Sequence, residues 1–279
     1  MNRILEKTPL NPTVTRMVIE APLVAKKAEP GQFIILRVSE DGERIPLTVA
    51  DFDREKGTVT IIFQVVGGTT EKLNHLNAGD ALHDFVGPLG RPTETAGLKS
   101  VAVVGGGVGC AIAYPVAKKL HEQGCRVHSI VGFRSKDLVI LEEEFDAVSD
   151  ALFRMSDDGS FGEKGLVTDA LRKLLEAGEQ YDEVITIGPL IMMKFVCKLT
   201  KEFNVKTVAS MNPIMIDGTG MCGCCRLTVG GKMKFACVDG PDFDGQEIDF
   251  DEAMARNAAY RDFERKARED ACNLFREVR

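Results

Sequence analysis

The sequence contains no tryptophan, and only 6% of its 279 residues are aromatic. Recognition of nucleic acid by stacking bases on aromatic side chains is therefore not expected. A net charge of −7 and a pI of about 5.3 also argue against nucleic acid or an anionic membrane as a partner. No apolar run approaches the roughly 18 residues that a membrane-spanning helix needs, so no membrane association is predicted.

A secretory signal is not evident either, because the N-terminal residues MNRILEKTPL lack its apolar stretch. The expected location is therefore the cytoplasm. The chain has 8 cysteines, several of them bunched, and only 4 histidines, all far upstream of that bunch. In a reducing compartment, bunched cysteines favour metal ligation over a disulfide framework. The length indicates about two domains and a small module.

Four residues near the C-terminus have the spacing of a cluster site: Asp217, Cys222, Cys225 and Cys237. With a cysteine at the first position, the pattern would be C-x4-C-x2-C with one more cysteine downstream. That is the plant-type [2Fe–2S] spacing. Here a carboxylate fills the first position, and the pattern indicates one-electron transfer.

Three kinds of site are compatible with this cysteine cluster. C-x2-C is a common zinc half-site, but no histidine lies near it. Disulfide redox chemistry is a second interpretation, because three cysteines crowd together. An iron–sulfur cluster is favoured because glycines 218, 220 and 223 allow backbone N–H groups to approach its sulfurs. The remaining cysteines are predicted to pack as small apolar residues: Cys110, Cys125, Cys197, Cys224 and Cys272.

The first 97 residues predict an antiparallel barrel or sandwich, because short segments rich in β-branched residues alternate with turn residues. The predicted strands are 2–8, 13–20, 32–39, 45–51, 57–66 and 79–86, with one helix over 70–76. From residue 98, strands and helices alternate, which predicts a parallel sheet covered on both faces. Its strands are 100–105, 126–132, 151–156, 182–187 and 206–210, and its helices are 109–123, 138–147, 166–177 and 190–203.

The remaining chain, 211–279, is predicted as a small iron–sulfur module. Residues 211–240 are rich in glycine and cysteine, which indicates a loop around a cofactor, and 250–276 favours a helix. The predicted domains are therefore 1–97, 98–210 and 211–279.

A nucleotide site is predicted at the carboxyl ends of the parallel strands. Gly105, Gly107 and Gly109 follow the first strand and precede a helix, so they suit either a pyrophosphate or tight packing. Later strands end near three other candidates on the same edge of the sheet: Arg134, Asp157 and Gly188. Arg134 suits an adenosine phosphate or a merely solvated surface position.

Two further motifs lie in the barrel. Arg44 and Thr48 belong to the segment RIPLT, and the run from Gly67 to Thr70 precedes the predicted helix. Backbone N–H groups and hydroxyls of the second motif suit a phosphate. An N-cap and turn is the alternative that spacing alone favours.

The order of these pieces resembles the ferredoxin–NADP reductase superfamily, in which a flavin barrel precedes a pyridine-nucleotide domain. The C-terminal cysteine segment is similar to that of dihydroorotate dehydrogenase electron-transfer subunits. The likeness is closer still to small subunits of NADH-dependent reduced ferredoxin:NADP oxidoreductases, also called sulfide dehydrogenase subunits. The most specific matches begin at Gly162, Gly188, Asp217 and Phe235. They imply an antiparallel Greek-key flavin barrel, a parallel-sheet nucleotide-binding domain and a C-terminal iron–sulfur module.

The resemblance also implies cofactors and their contacts. FAD would be held by Arg44, Leu47, Thr48, Val49, Gly67, Gly68, Thr69 and Thr70. Arg44 lies one residue earlier than the family's arginine, and Asp217 stands where dihydroorotate-type subunits have a cysteine. NAD(H) would dock at the glycine-rich turn, and the ligands of a [2Fe–2S] cluster would be Asp217, Cys222, Cys225 and Cys237.

The implied function is electron transfer between NADH, FAD and the cluster, with no catalytic acid or base. The chain would be half of an electron-bifurcating heterodimer. A larger flavin and iron–sulfur subunit would pass electrons to ferredoxin and NADP. The alternative is an electron-transfer subunit of a dihydroorotate or sulfide dehydrogenase.

Overall fold

The computed structural model describes residues 2–260 and 262–267. Its N-terminal part consists of two antiparallel sheets that together form the predicted barrel. The first sheet has the strand order β5-β6-β2-β1-β7, and the second has the order β4-β3-β8. These strands are β1 Asn2–Asn11, β2 Val14–Glu20, β3 Phe33–Arg37, β4 Arg44–Thr48, β5 Asp51–Asp53, β6 Thr58–Gln64, β7 Ala81–Leu82 and β8 Asp84–Leu89.

The barrel core follows from alternation along its strands. In β2, Met17 and Ile19 are fully buried, whereas Val18 between them is only partly covered. Side chains two apart lie on one face of a strand, so this face is turned into the barrel. Two short helices complete this part: α1 Pro22–Ala25, which was not predicted, and α2 Gly68–His75, which was.

The predicted strand 45–51 is wrong in one respect, because the structure divides it into β4 and β5. The chain changes sheets between them, at Val49 and Ala50. Val49 N donates to Gln32 O, whereas Ala50 N donates to Thr60 O in the other sheet. A similar division separates β7 from β8 within the predicted strand 79–86.

The second part is a mixed seven-stranded sheet with the order β12-β11-β10-β9-β13-β14-β17. Its strands are β9 Ser100–Gly106, β10 Arg126–Phe133, β11 Ala151–Ser156, β12 Glu163–Lys164, β13 Glu183–Ile187, β14 Thr207–Ser210 and β17 Asp242–Asp244. All neighbours are parallel except β14 and β17. The strand order reverses direction beside β9, which places a ligand crevice between β9 and β13.

Four helices follow strands of this sheet, as predicted: α3 Cys110–Glu122, α4 Glu142–Ala147, α5 Val167–Glu176 and α6 Leu190–Glu202. The second predicted helix, 138–147, starts earlier in the chain than the observed α4. Residues Lys136–Leu138 form a separate 3-10 turn, and Leu141 has a left-handed φ of 58°. A helix cannot continue through that conformation.

The segment 211–240 was expected to be a loop throughout, and this is wrong from residue 226 onward. It forms a hairpin of β15 Arg226–Val229 and β16 Lys232–Phe235, followed by α7 Ala236–Asp239. Gly230 and Gly231 join the strands with φ of 57° and 69°. Two glycines with positive φ suit a two-residue hairpin turn.

The C-terminal module shares a sheet and a core with the rest of the chain. β17 pairs with β14, and one apolar cluster includes Phe33 and Ile35 of the barrel, Met193 of α6 and Cys237. The division into 1–97, 98–210 and 211–279 stays a prediction. The predicted helix 250–276 is present as α8 Phe250–Ala258, and 262–267 is also helical. Residues 268–276 of that helix lie outside the described part.

Among residues 2–260 and 262–267, the structure contains no helix with the length and apolar character to cross a membrane.

Candidate flavin and iron–sulfur site

The hairpin brings two of the four predicted cluster ligands together. Cys225 precedes β15 and Cys237 lies in α7, and their Sγ atoms are 3.2 Å apart. Ala236 N also donates to Cys225 O at 3.2 Å, which fixes the two segments. Two sulfur ligands of one tetrahedral metal, each bonded at about 2.3 Å, would lie about 3.8 Å apart. The pair therefore suits a shared metal ion.

Asp217 and Cys222 lie on the loop before the hairpin. Asp217 Oδ2 accepts hydrogen bonds from Thr219 N at 3.0 Å, Thr219 Oγ1 at 2.5 Å and Met221 N at 3.3 Å. Those from Thr219 hold the pKa of Asp217 below its ordinary value, so the side chain is an anion. Cys222 is exposed, and a hydrogen bond from the backbone of Cys224 lowers its pKa. The Asp217 carboxylate and the Cys222 thiol are therefore both suited to binding a cation.

The two remaining thiols differ in environment from Cys222. Burial raises the pKa of Cys237 to about 12, although a hydrogen bond from the backbone of Gly220 acts in the opposite direction. A thiol that coordinates a metal is deprotonated by it, so a positively charged centre would overcome this effect of burial. Backbone N–H groups thus face sulfur on both sides of the loop, as predicted for an iron–sulfur site.

The loop depends on glycine where it meets the barrel. Gly218 has a φ of +81°, and an added Cβ would lie 2.7 Å from Leu89 Cδ1. Within the described chain, no three cysteine, histidine, aspartate or glutamate side chains converge as the ligands of a single ion would. Zinc needs four ligands around one ion, whereas a two-iron cluster spreads them over two. The donor set fits the cluster better.

The other cysteines lie mostly where the sequence predicted. Cys110, Cys125 and Cys197 are buried free thiols, and burial raises the pKa of each. Cys272 lies outside the described residues. Cys224 is different: it is half-buried and lines a cavity, and its interpretation as a packing residue stays a prediction.

That cavity has a volume of about 970 Å³ and lies between the barrel and the cluster loop. Arg44 and the run from Gly67 to Thr70 line its barrel side. The rest of its lining includes residues 213–216, Cys224, Arg226 and Arg256. A cleft of this size, with apolar walls and a few polar groups, is typical of a cofactor site. Residues of the predicted flavin motifs and of the cluster loop thus line the same cavity.

The run from Gly67 to Thr70 forms the start of α2. Thr70 Oγ1 accepts from Val66 N and Gly67 N, both at 3.0 Å, and donates to Gly67 O at 2.9 Å. Thr70 thus stabilises the N-terminus of α2 from its third position, whereas the N-cap itself is Gly67. Thr69 Oγ1 donates to Glu43 Oε2 at 2.5 Å. First-turn N–H groups lack intrahelical partners, so this helix start suits a phosphate that enters the cavity.

The predicted flavin contacts in β4 and at Val49 directly after it divide between the cavity and the barrel core. Arg44 lines the cavity, and its Nε donates to Ile216 O at 3.0 Å, directly before Asp217. Leu47 packs against the barrel core and Val49 is fully buried in it. Neither these two residues nor Thr48 lines the cavity. Their predicted contacts with FAD stay predictions.

The glycine-rich turn lies at the crevice between β9 and β13. An added Cβ on Gly109 would lie 2.6 Å from Ile187 O, and one on Gly105 would lie 2.9 Å from Cys110 Sγ. An added Cβ on Gly188 would lie 2.7 Å from Met192 Cε and 3.2 Å from the backbone N of Gly106. Tight packing therefore explains these positions by itself. Gly107 has a φ of +55° and faces open space, which leaves room for a ligand.

Arg134 and Asp157 lie together at the ends of β10 and β11. Both are exposed, and Asp157 N donates to Phe133 O at 3.1 Å, next to Arg134. Lys136 N donates to Ser160 Oγ at 2.8 Å, which joins the two loops. The structure thus brings Arg134 and Asp157 to the carboxyl edge of the sheet on the β10 side of the crevice, whereas Gly188 follows β13 on the other side.

Residues 212–249 match the iron–sulfur cluster binding domain of dihydroorotate dehydrogenase B. A Thermotoga maritima homologue of the electron-transfer subunit of that enzyme is 48% identical, over 95% of this chain and 93% of that protein. The Fusobacterium nucleatum electron-transfer subunit is 31% identical, over 85% of this chain and 93% of that protein. The chain belongs to this family. Its members are oxidoreductase subunits that transfer electrons.

Similar structures agree with this family assignment. The structure of an NADH-dependent reduced ferredoxin-NADP oxidoreductase, solved in work on flavin-based electron bifurcation, has a TM-score of 0.92 and 47% identity, with 97% of each chain covered. The cytochrome b5 reductase domain of Ulva prolifera nitrate reductase has a TM-score of 0.60 and 16% identity, over 73% of this chain and 92% of that one. The second likeness concerns the fold alone.

These comparisons confirm the predicted superfamily, the flavin-barrel and nucleotide-domain fold, and an iron–sulfur module at residues 212–249 of the electron-transfer subunit. The individual ligands and contacts stay predictions.

Sequence reasoning missed Glu43, Arg226 and Arg256 as cavity residues. Arg226 directly follows Cys225, which was a usable signal. Arg256 is one of many charged residues on a helix, and only the fold brings it to the cavity.

Proposed function

We propose that this electron-transfer subunit moves electrons between NADH, FAD and a [2Fe–2S] cluster, as half of an electron-bifurcating NADH-dependent reduced ferredoxin:NADP oxidoreductase. The observation that carries the proposal is the single cavity shared by Arg44, the start of α2 and the cluster loop. A flavin there would lie beside the cluster and open towards the nucleotide crevice. Bound flavin takes up hydride and the cluster carries single electrons.

The chain's own residues would hold and orient these groups. The first turn of α2 would bind a phosphate of FAD through backbone N–H groups, with Thr70 keeping that turn in place. Arg44 would link the flavin to the residue before Asp217. The open face at Gly107 would receive the nucleotide pyrophosphate. Asp217, Cys222, Cys225 and Cys237 would hold the cluster.

A partner protein follows from the family, whose members are subunits of larger assemblies. We infer a heterodimer with a larger flavin and iron–sulfur subunit, through which electrons reach ferredoxin and NADP. We place the protein in the cytoplasm. The second candidate is an electron-transfer subunit of a dihydroorotate dehydrogenase, because relatives with 31% to 34% identity carry that description.

The test is co-purification of the native complex followed by titration with NADH under anaerobic conditions. We expect FAD in the supernatant after denaturation, bleaching of the flavin absorbance by NADH, and a one-electron EPR signal from the cluster. Identification of the second subunit separates the two candidates. Absence of FAD from the native complex would overturn the proposal, and dihydroorotate-dependent reduction would favour the second candidate.

A further inference from the structure

Two arginines donate to neighbouring carbonyl groups inside the cluster loop. Arg226 Nη1 donates to Gly223 O at 3.1 Å, and Arg256 Nη2 donates to Cys224 O at 3.4 Å. Both carbonyls lie between Cys222 and Cys225, two of the predicted ligands. The arginines come from different elements, Arg226 from the first position of β15 and Arg256 from the last turn of α8. The loop is therefore held from two sides.

The same two side chains line the cavity that faces the flavin motifs. A guanidinium group has five N–H donors, and each of these arginines uses one of its side-chain nitrogens on the loop. Donors thus remain for an anionic group in the cavity. The other charged residues on the cavity wall are Arg44, which donates to Ile216 O, Glu43, which accepts from Thr69, and Glu264. Among the described residues of the wall, three arginines therefore lie with two glutamates, so that positive charge exceeds negative charge.

Charge at this position affects the cluster directly. One-electron reduction adds one negative charge to the cluster, and a nearby cation stabilises that form relative to the oxidised one. The Arg256 contact also fixes the peptide between Cys224, which lines the cavity, and Cys225, which faces Cys237, and the Arg226 contact fixes the preceding peptide. This peptide is a short covalent link between the cavity wall and a cluster ligand.

We propose that Arg226 and Arg256 are positioning residues, which hold the Cys222–Cys225 loop against the flavin cavity and raise the reduction potential of the cluster through their charge. This inference rests on the proposed function. It concerns residues outside the ligand set and outside the flavin motifs. Arg44 supports the same loop from the barrel side, at the residue before Asp217.

The experiment uses the native complex with Arg226→Gln, Arg256→Gln, the double variant that combines them, and Arg256→Lys. The matched control is Arg172→Gln, which removes an exposed guanidinium paired with Glu202 on α6, away from the cavity. An EPR-monitored redox titration gives the cluster potential, and iron and FAD are measured in each preparation. We expect a lower potential in both glutamine variants, an additive or larger fall in the double variant, and no change in Arg256→Lys or Arg172→Gln.

Each outcome decides between specific alternatives. A potential in both glutamine variants equal to that of the wild type overturns the inference. If Arg256→Gln lacks iron, Arg256→Lys decides: an intact cluster at the wild-type potential supports a requirement for charge, whereas loss of iron from Arg256→Lys too contradicts one. A wild-type complex without any cluster signal would instead overturn the proposed function itself.

Discussion

The Sγ atoms of Cys225 and Cys237 lie 3.2 Å apart, although 12 positions separate the residues in the chain. The intervening hairpin and α7 produce this proximity, and both thiols are buried in the apolar cluster that joins all three parts of the molecule. A buried pair of cysteines in a closed loop has no solvent to stabilise its thiolates. A metal centre would supply that stabilisation.

Replacement of either cysteine of this pair should remove the cluster. In Cys225→Ser or Cys237→Ser, a hydroxyl takes the place of a thiolate ligand, so we expect severe loss of iron and of the EPR signal. Cys224→Ala is the control, because Cys224 faces the cavity and should be dispensable for iron binding. Iron content and EPR of the three variants provide the measurement. Loss of the signal in Cys224→Ala with its retention in Cys225→Ser would contradict the ligand set.

Removal of the cap on α2 should destabilise the flavin side of the cavity. Thr70→Ala loses the hydroxyl that accepts from Val66 N and Gly67 N, and the loss of these hydrogen bonds should reduce stability by about 1 kcal/mol. Thr70→Ser retains the hydroxyl and should lose much less. Urea denaturation followed by circular dichroism measures both. Equal stability of Thr70→Ala and the wild type would show that the cap is not needed.

Local patterns predicted most of the fold. Continuous apolar residues from Val101 to Val104 predicted a buried parallel strand, and all four are fully buried in β9. The break at Val49 was not predictable, because it depends on hydrogen bonds to Gln32 and Thr60 in different sheets. The hairpin at Gly230 and Gly231 was predictable from the glycine pair, but the whole segment was interpreted as a loop around a cofactor.

The site was predictable to a different extent in its two halves. Cluster ligands are close in sequence, so their spacing alone indicated Cys222 and Cys225. The cavity depends on residues that are distant in sequence, such as Arg44 and Arg256, whose proximity only the tertiary fold creates. Long-range contacts of this kind leave no local pattern.

The buried carboxyl of Asp242 should make stability depend on pH. Desolvation raises the pKa of Asp242, although hydrogen bonds from Ser210 and Thr93 oppose this shift. The folded protein then retains a proton that the unfolded chain loses above about pH 4. The contribution of Asp242 to the free energy of unfolding is therefore fully present below that pH. It is lost as the pH rises towards the folded-state pKa of Asp242. Glu183, whose pKa burial also raises, contributes in the same direction.

Asp242→Asn should remove its part of this pH dependence, because the amide stays neutral. We expect the thermal midpoint of the variant, relative to that of the wild type, to increase as the pH rises above 4. Asp244→Asn is the matched control, since Asp244 is exposed on the same strand. A difference between Asp242→Asn and the wild type that is constant from pH 4 to pH 8 would contradict the assignment.

The nucleotide site should prefer NADH over NADPH. Asp157 is exposed beside Arg134 at the edge where the adenosine end of the nucleotide is predicted to lie, and its carboxylate would repel a 2′-phosphate. Stopped-flow bleaching of the flavin by the two reduced nucleotides measures the preference. Asp157→Asn should reduce the preference for NADH over NADPH. Asp251→Asn should leave this preference unchanged, because Asp251 lies on α8 and pairs with Lys194. Faster bleaching by NADPH in the wild type would mean that Arg134 and Lys136 dominate.

Asp217 should set the cluster potential above that of an all-cysteine site. A carboxylate donates less electron density to iron than a thiolate, and all-cysteine plant-type clusters have potentials near about −400 mV. We therefore expect Asp217→Cys to keep the cluster and to lower its potential in an EPR-monitored titration. Asp217→Asn is the control for loop structure, because its amide oxygen can still accept from Thr219 and Met221. If Asp217→Cys leaves the potential unchanged while Cys224→Ala abolishes the signal, Cys224 is the ligand in place of Asp217.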